Sequence, residues 1–166
     1  MDTNRLGAIA EANILTAAVE LGIDVARPVL DGLRYDLIFD LHPTLVRVQC
    51  KWVLRNGGVV DVRARTCRRG PNGSYVRGTY SAREVDAVGA YCAELGKVYL
   101  LPMEMLAGKQ QISLRLSHAR NNQQSGIHWA EQYELGAIAQ LGERRRGTAE
   151  VVGSSPTSST LFREAA

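Results

Sequence analysis

Long apolar runs are missing from this sequence, and with them one whole class of protein. Nowhere in its 166 residues does a stretch approach the roughly 20 apolar residues that span a bilayer, so no membrane partner is expected. The opening MDTNRLGAIAEAN lacks the basic-then-apolar layout of a secretory signal, which argues against export. Cysteine is scarce and odd in number: Cys50, Cys67 and Cys92 are widely spaced and form no C-x-x-C pair. A disulfide framework and a zinc ribbon are thereby excluded, and reduced thiols in a cytoplasm are expected. Gly70, Pro71 and Gly73 make a turn and not a phosphate loop, because no Lys-Ser/Thr follows them. Acids are almost absent from one segment. Between Arg55 and Arg83 stand seven arginines against the single acid Asp61.

That basic segment, interrupted by Tyr75 and Tyr80, fits phosphate binding; a solvated basic loop would have the same composition. The net charge of +3 is mild, and 45% apolar with 22% charged residues is ordinary for a globular chain. The length suits one domain with a real core. Helical spacing of Leu6, Ile9, Ala10, Ile14, Ala17, Ala18 and Leu21 predicts a helix over Asn4 to Leu21, capped by Asp2 or Thr3 and ended by Gly22. Strands are expected over Asp24–Leu30, Tyr35–Leu41, Thr44 to about Arg55, and Val59–Cys67, with Asp31-Gly32, His42-Pro43 and Asn56-Gly57-Gly58 as the turns. Arg68–Ser74 reads as a loop, Ala82–Ala93 as a helix, Val98–Pro102 and Ile112–Leu116 as strands, and Gln123–Tyr133 as a last helix carrying Trp129. The order implies an α/β fold with a mixed β-sheet flanked by helices.

The third strand is unusual in its charges. Its apolar set is Val46, Val48, Cys50 and Val53, while Arg47, Gln49 and Lys51 occupy the opposite face. Gln49 and Lys51 project together, and Asp36 on the preceding strand can pair beside them. An acid on one strand, then an acid or amide two residues before a lysine on the next, after an initial helix, is the layout of the PD-(D/E)XK nucleases. The stretches AEANILTAAVELGIDVARPV, YDLIFD, VQCKW, VDAVGAYCAELGKVYLLP, ISLRL and RNNQQSGIHWAEQYE extend the likeness over roughly residues 5 to 134. In them the chain resembles the group I intron-associated, homing branch of that superfamily.

The resemblance implies a restriction-endonuclease-like core and a metal-dependent endonuclease acting on double-stranded DNA, encoded by a bacterium or phage and kept inside the cell. Gln49 then stands where relatives carry Asp or Glu. Mg²⁺ is the implied cofactor, with Mn²⁺ as a substitute, because phosphodiester hydrolysis needs a cation to offset charge at phosphorus and to activate water. Asp36 is a hard oxygen ligand; the Gln49 amide oxygen and the Cys50 backbone carbonyl add further oxygens. Lys51 would position water or stabilise developing charge. Glu11, at the edge of the helix's apolar face, matches the family's helical acid and would restore the carboxylate that Gln49 replaces. Arg47, Arg55, Arg63, Arg65, Arg68, Arg69 and Arg77 are the expected DNA contacts. One site per chain cuts one strand, so a homodimer or higher homo-oligomer is expected. A Holliday-junction-type nuclease and a non-cleaving DNA-binding module are the alternatives.

Within the chain, Asp40 points to the same side as Asp36 and could replace it if the register slipped. His118, Asn121, Asn122 and His128 resemble an HNH motif, but their spacing is too compact for its ββα-metal layout. The expected nuclease domain is 1–134, and 135–166 a tail of different character. Ile138 to Glu143 can be encoded ATA GCT CAG TTG GGA GAG, the D-arm sequence of a bacterial tRNA gene, and Gly153 to Pro156 can be GGT TCG AGT CCC, the T-arm. Their starts lie 15 codons, or 45 nucleotides, apart, as in a tRNA. The tail is therefore expected to be translated tRNA-gene sequence, shaped by RNA and not by packing.

Overall fold

A computed structural model of the chain describes residues 2–30, 32–69, 72–117 and 125–138, apart from the side chains of residues 67–69, 76 and 77. Helix α1 (Thr3–Glu20) begins where the Asp2 carboxylate accepts the Asn4 N–H at 3.3 Å. It ends just before Gly22, whose φ of 72° suits a residue without Cβ. Its buried residues Ala10, Ile14 and Ala18 recur every fourth position, so they form one stripe. Two of the three are alanine, which lets the helix lie close to the sheet below.

Strand β1 (Asp24–Ala26) is shorter than the sequence suggests, because Pro28 offers no N–H to a ladder; Val29 and Leu30 are exposed. Strands β2 (Leu37–Asp40) and β3 (Leu45–Asn56) pair antiparallel with Leu37 opposite Val48. The expected Val59–Cys67 strand is two strands, β4 (Val59–Arg63) and β5 (Arg65–Arg69). They part at buried Ala64, whose N–H bonds the Gln110 carbonyl at 3.0 Å. Much of the expected 68–74 loop is likewise strand, since β5 pairs antiparallel with β6 (Tyr75–Thr79).

The expected helix at Ala82–Ala93 is not formed. Residues 87–92 are strand β7 (Ala87–Cys92), parallel to β3 and antiparallel to β8 (Lys97–Pro102). Ala and Glu favour helix locally, but this run lies between two strands and is buried on both faces, so no alternation marks it in the sequence. The last predicted helix is also corrected. After the short α2 (Met103–Leu106) and β9 (Gln111–Arg115), residues 128–129 form β10 (His128–Trp129), parallel to β9, and a 3₁₀ turn covers Ala130–Tyr133. Positions 123 and 124 lie outside the described residues.

The result is a mixed α/β fold in which the long β3 is shared by two sets of strands. Its first part pairs with β2 and β7, and its last three residues pair with β4, which continues to β9. Two cores follow. Val46, Val48 and Cys50 pack with Leu37, Phe39 and the α1 stripe. Val53 has the parity of Gln49 and Lys51, and it packs in the other core with Val60, Val62, Tyr80 and Leu101. Grouping Val53 with Val46 by composition is thus corrected by strand alternation. Gly89 of β7 sits under α1: a Cβ there would come within 3.0 Å of Val48 Cγ1 and 3.3 Å of Ile14 Cγ2.

The chain does not leave the core at Glu134. A helical turn over 135–138 buries Leu135 and Ile138 in the α1 core. Ile138 is the first residue of the D-arm-like stretch, so the packing reaches one codon into it. No helix among the described residues is long and apolar enough to cross a membrane.

Candidate functional site

The site forms where β2 leaves β3. The Asp36 N–H still bonds the Val48 carbonyl at 2.9 Å, and one residue before β2 begins the backbone ladder stops. The Asp36 carboxylate takes over: its Oδ2 accepts the Cys50 N–H at 2.7 Å and a second bond from the Gln49 amide nitrogen. The Cys50 carbonyl lies 3.5 Å from that same nitrogen. The side chain thus closes a gap in the sheet, which is why Asp36, Gln49 and Cys50 share so small a space.

Burial raises the Asp36 carboxyl above its ordinary range, the Cys50 N–H opposes the rise, and the negative charge of Glu11 adds to it. Glu11 comes from α1, the element that packs on the opposite side of β3, and its carboxylate is bonded to exposed Arg27. Its negative charge nonetheless reaches Asp36. Lys51 comes from the face of β3 that carries Gln49. Burial lowers its ammonium, while the nearby Asp36 charge raises it. The Cys50 thiol is buried, with its titration pushed up mainly by desolvation, so it is an inert group and only its backbone belongs to the site.

Four of the expected site residues are therefore brought together: Glu11, Asp36, Gln49 and Lys51, with the Cys50 carbonyl beside them. Among the described residues no group of three or more His, Cys, Asp or Glu side chains is arranged to hold a metal ion. The oxygen donors here are two carboxylates, an amide and a carbonyl, a hard set that fits a divalent cation such as Mg²⁺. The Gln49 amide presents its nitrogen to Asp36, and half a turn about its last bond would exchange nitrogen for oxygen. A carboxylate raised by burial and by a neighbouring negative charge is what a bound cation would relieve.

Other candidates separate from this centre. Asp40 accepts the His42 N–H at 3.0 Å and caps the turn between β2 and β3, so it is not a substitute for Asp36. Arg47, expected at phosphate, is committed elsewhere: Nε and Nη2 bond the Asp86 carboxylate at 2.8 Å each, and Nη1 bonds the Arg83 carbonyl at 2.7 Å. It ties β3 to the approach of β7. Arg55 donates to the Gly57 carbonyl at 2.9 Å within its own turn. Arg63 and Arg65 are exposed. The side chains of Arg68, Arg69 and Arg77, and all of His118, Asn121 and Asn122, lie outside the described residues; His128 faces Tyr133.

Sequence reading missed Tyr80, Arg34 and Glu84 at this site. Tyr80 belongs to the arginine segment, and nothing in its spacing links it to Lys51; only the return of the chain after β6 does so.

A model of PD-(D/E)XK endonucleases matches residues 1–136. The chain belongs to that family. The structure is similar to that of the bacterial homing endonuclease I-Ssp6803I, with a TM-score of 0.67 and 25% identity over 91% of this chain and 100% of that one. The fold of the family is thus the fold found here. Among curated proteins none matches the chain.

Proposed function

We propose that this member of the family is a Mg²⁺-dependent endonuclease, served also by Mn²⁺, that hydrolyses phosphodiester bonds in double-stranded DNA inside a bacterial cell. The observation that carries the reading is the convergence of Asp36, Gln49, Lys51 and Glu11 on the gap between β2 and β3. A homing role, and a site on an intron or similar mobile element, are supported by the likeness to I-Ssp6803I. Double-strand cleavage by one-site chains calls for a homodimer or higher assembly.

A divalent cation bound there would withdraw charge from phosphorus and make its water a better nucleophile. Asp36, Glu11, the Gln49 amide oxygen and the Cys50 carbonyl would hold it. Asp36 is fixed for this by the Cys50 N–H, so its free oxygen needs no reorientation. Lys51 supplies the positive charge that answers the growing negative charge of the phosphate, and partial burial strengthens that interaction. Of the expected DNA contacts, Arg63 and Arg65 are exposed and fit the DNA backbone.

The deciding experiment offers duplex DNA and a four-way junction, each with Mg²⁺ or with EDTA, to the wild-type chain and to Lys51→Ala and Asp36→Ala. Cleavage of duplex with Mg²⁺, reduced to a residual trace in both variants while binding stays within several-fold, is expected. Preference for the junction would make it a structure-selective nuclease. Binding without cleavage under every condition would make it a DNA-binding module.

A further inference from the structure

The Lys51 amine has a partner that the catalytic reading leaves unexplained. Its Nζ donates to the Tyr80 hydroxyl at 2.8 Å and lies 5.0 Å from the centre of the Tyr80 ring. Tyr80 is buried, with 9% of its surface exposed, and it directly follows β6 of the arginine-rich hairpin. The Arg34 guanidinium sits 5.9 Å from the same ring, and its Nε bonds Glu84 at 2.9 Å. Glu84 in turn accepts from the Ser81 hydroxyl at 3.0 Å, which fixes the backbone next to Tyr80.

We propose that Tyr80 is a positioning residue for Lys51: its hydroxyl holds the ammonium at a set distance from Asp36. The proposal rests on the reading of Lys51 as catalytic. A lysine side chain has four rotatable bonds, and an unheld ammonium near a partly buried carboxylate collapses onto it. Lys51 paired tightly with Asp36 would neutralise a cation ligand and leave the phosphate without its counter-charge. Tyr80 prevents this with an attraction that pulls the other way, the charge-assisted hydrogen bond to its hydroxyl. The ring is held by its burial in the core with Val53, Val60 and Leu101. Substrate need not touch Tyr80 for any of this.

The test is Tyr80→Phe, which keeps the ring and removes one oxygen. With Mg²⁺ and duplex DNA the single-turnover rate should fall by about 10- to 100-fold, the range typical for residues that orient a ligand or catalytic group. DNA affinity should stay within about twofold and the melting temperature within a few degrees, since the change keeps the ring that packs in the core and the proposal gives the hydroxyl no role in binding DNA. In a Lys51→Ala background the same change should have no further effect on residual cleavage. A Tyr80→Phe enzyme at the wild-type rate, or one whose loss adds fully to that of Lys51→Ala, overturns the proposal. Should Lys51→Ala itself cleave normally, the assignment of the site falls first. If Tyr80→Phe does not fold, nitrogen-15 spectra of the wild-type chain decide. A Lys51 ammonium tied to the hydroxyl gives a slowly exchanging signal, and a fast-exchanging one refutes the contact.

Discussion

Leu135 and Ile138 set up a sharp test of where the domain ends. Leu135 is 2% exposed and Ile138 is 7% exposed, and both pack with Ile14, Ala18 and Leu100 in the α1 core. Gly136 lies between them close to Leu21, where a Cβ would be 3.8 Å from Leu21 Cδ2. Truncating a leucine buried to this degree costs about 2–5 kcal/mol, transfer and cavity together. For a domain of this size each kcal/mol lowers the melting temperature by roughly 2–4 °C or somewhat more. Leu135→Ala should therefore melt on the order of 4–20 °C below wild type in a circular-dichroism scan. A chain ending after Ile138 should melt within about 3 °C of the full-length chain, because stretches such as Arg144 to Arg146 and Ser154 to Thr160 contribute little apolar surface to offset the entropy of ordering. A Leu135→Ala change below about 2 °C would show that the turn is not packed. A large loss on removing 139–166 would make the tail part of the domain and end its reading as translated tRNA sequence.

Three further outcomes follow from the site and the sheet. Burial and Glu11 raise the Asp36 carboxyl above its unfolded value, so without a cation its stability contribution is lost as pH rises from the unfolded pKa through the folded one. Asp36→Asn should thus raise the melting temperature of the metal-free chain at neutral pH, while Mg²⁺ should stabilise only wild type, and more at neutral than at acid pH; Mg²⁺ stabilisation of the variant would refute the ligand assignment. Arg47→Met leaves Asp86 without its bidentate partner, and since both are about one-third exposed the cost should be near the lower end of about 1–3 kcal/mol. The salt dependence of DNA binding should not change with it, whereas neutralising Arg63 and Arg65 should flatten that slope by up to about 0.9 log unit per phosphate contact; the reverse pattern would put Arg47 on DNA. Gly89→Ala should cost about 1–3 kcal/mol by pushing α1 off the sheet, and cleavage should drop with it because Glu11 rides on that helix; unchanged stability would mean that the helix does not lie so close.

The grouping of Asp36, Gln49 and Lys51 was legible in the sequence because it is local. Gln49 and Lys51 are two apart on one strand, so period-two alternation puts them on one side, and Asp36 just before the preceding strand needs only hairpin pairing to join them. Helix α1 was equally legible, since its apolar stripe, cap and terminal glycine all agree. Tertiary structure alone decided the rest. Residues 87–92 became a strand because the sheet covers both of their faces, and a run buried on both faces carries no period to read. Arg47 turned from DNA to Asp86, and Tyr80 came to Lys51, because the chain returns past β3 after excursions of 39 and 29 residues. Side-chain partners at such separations are set by how strands stack, and no local pattern in the sequence encodes that.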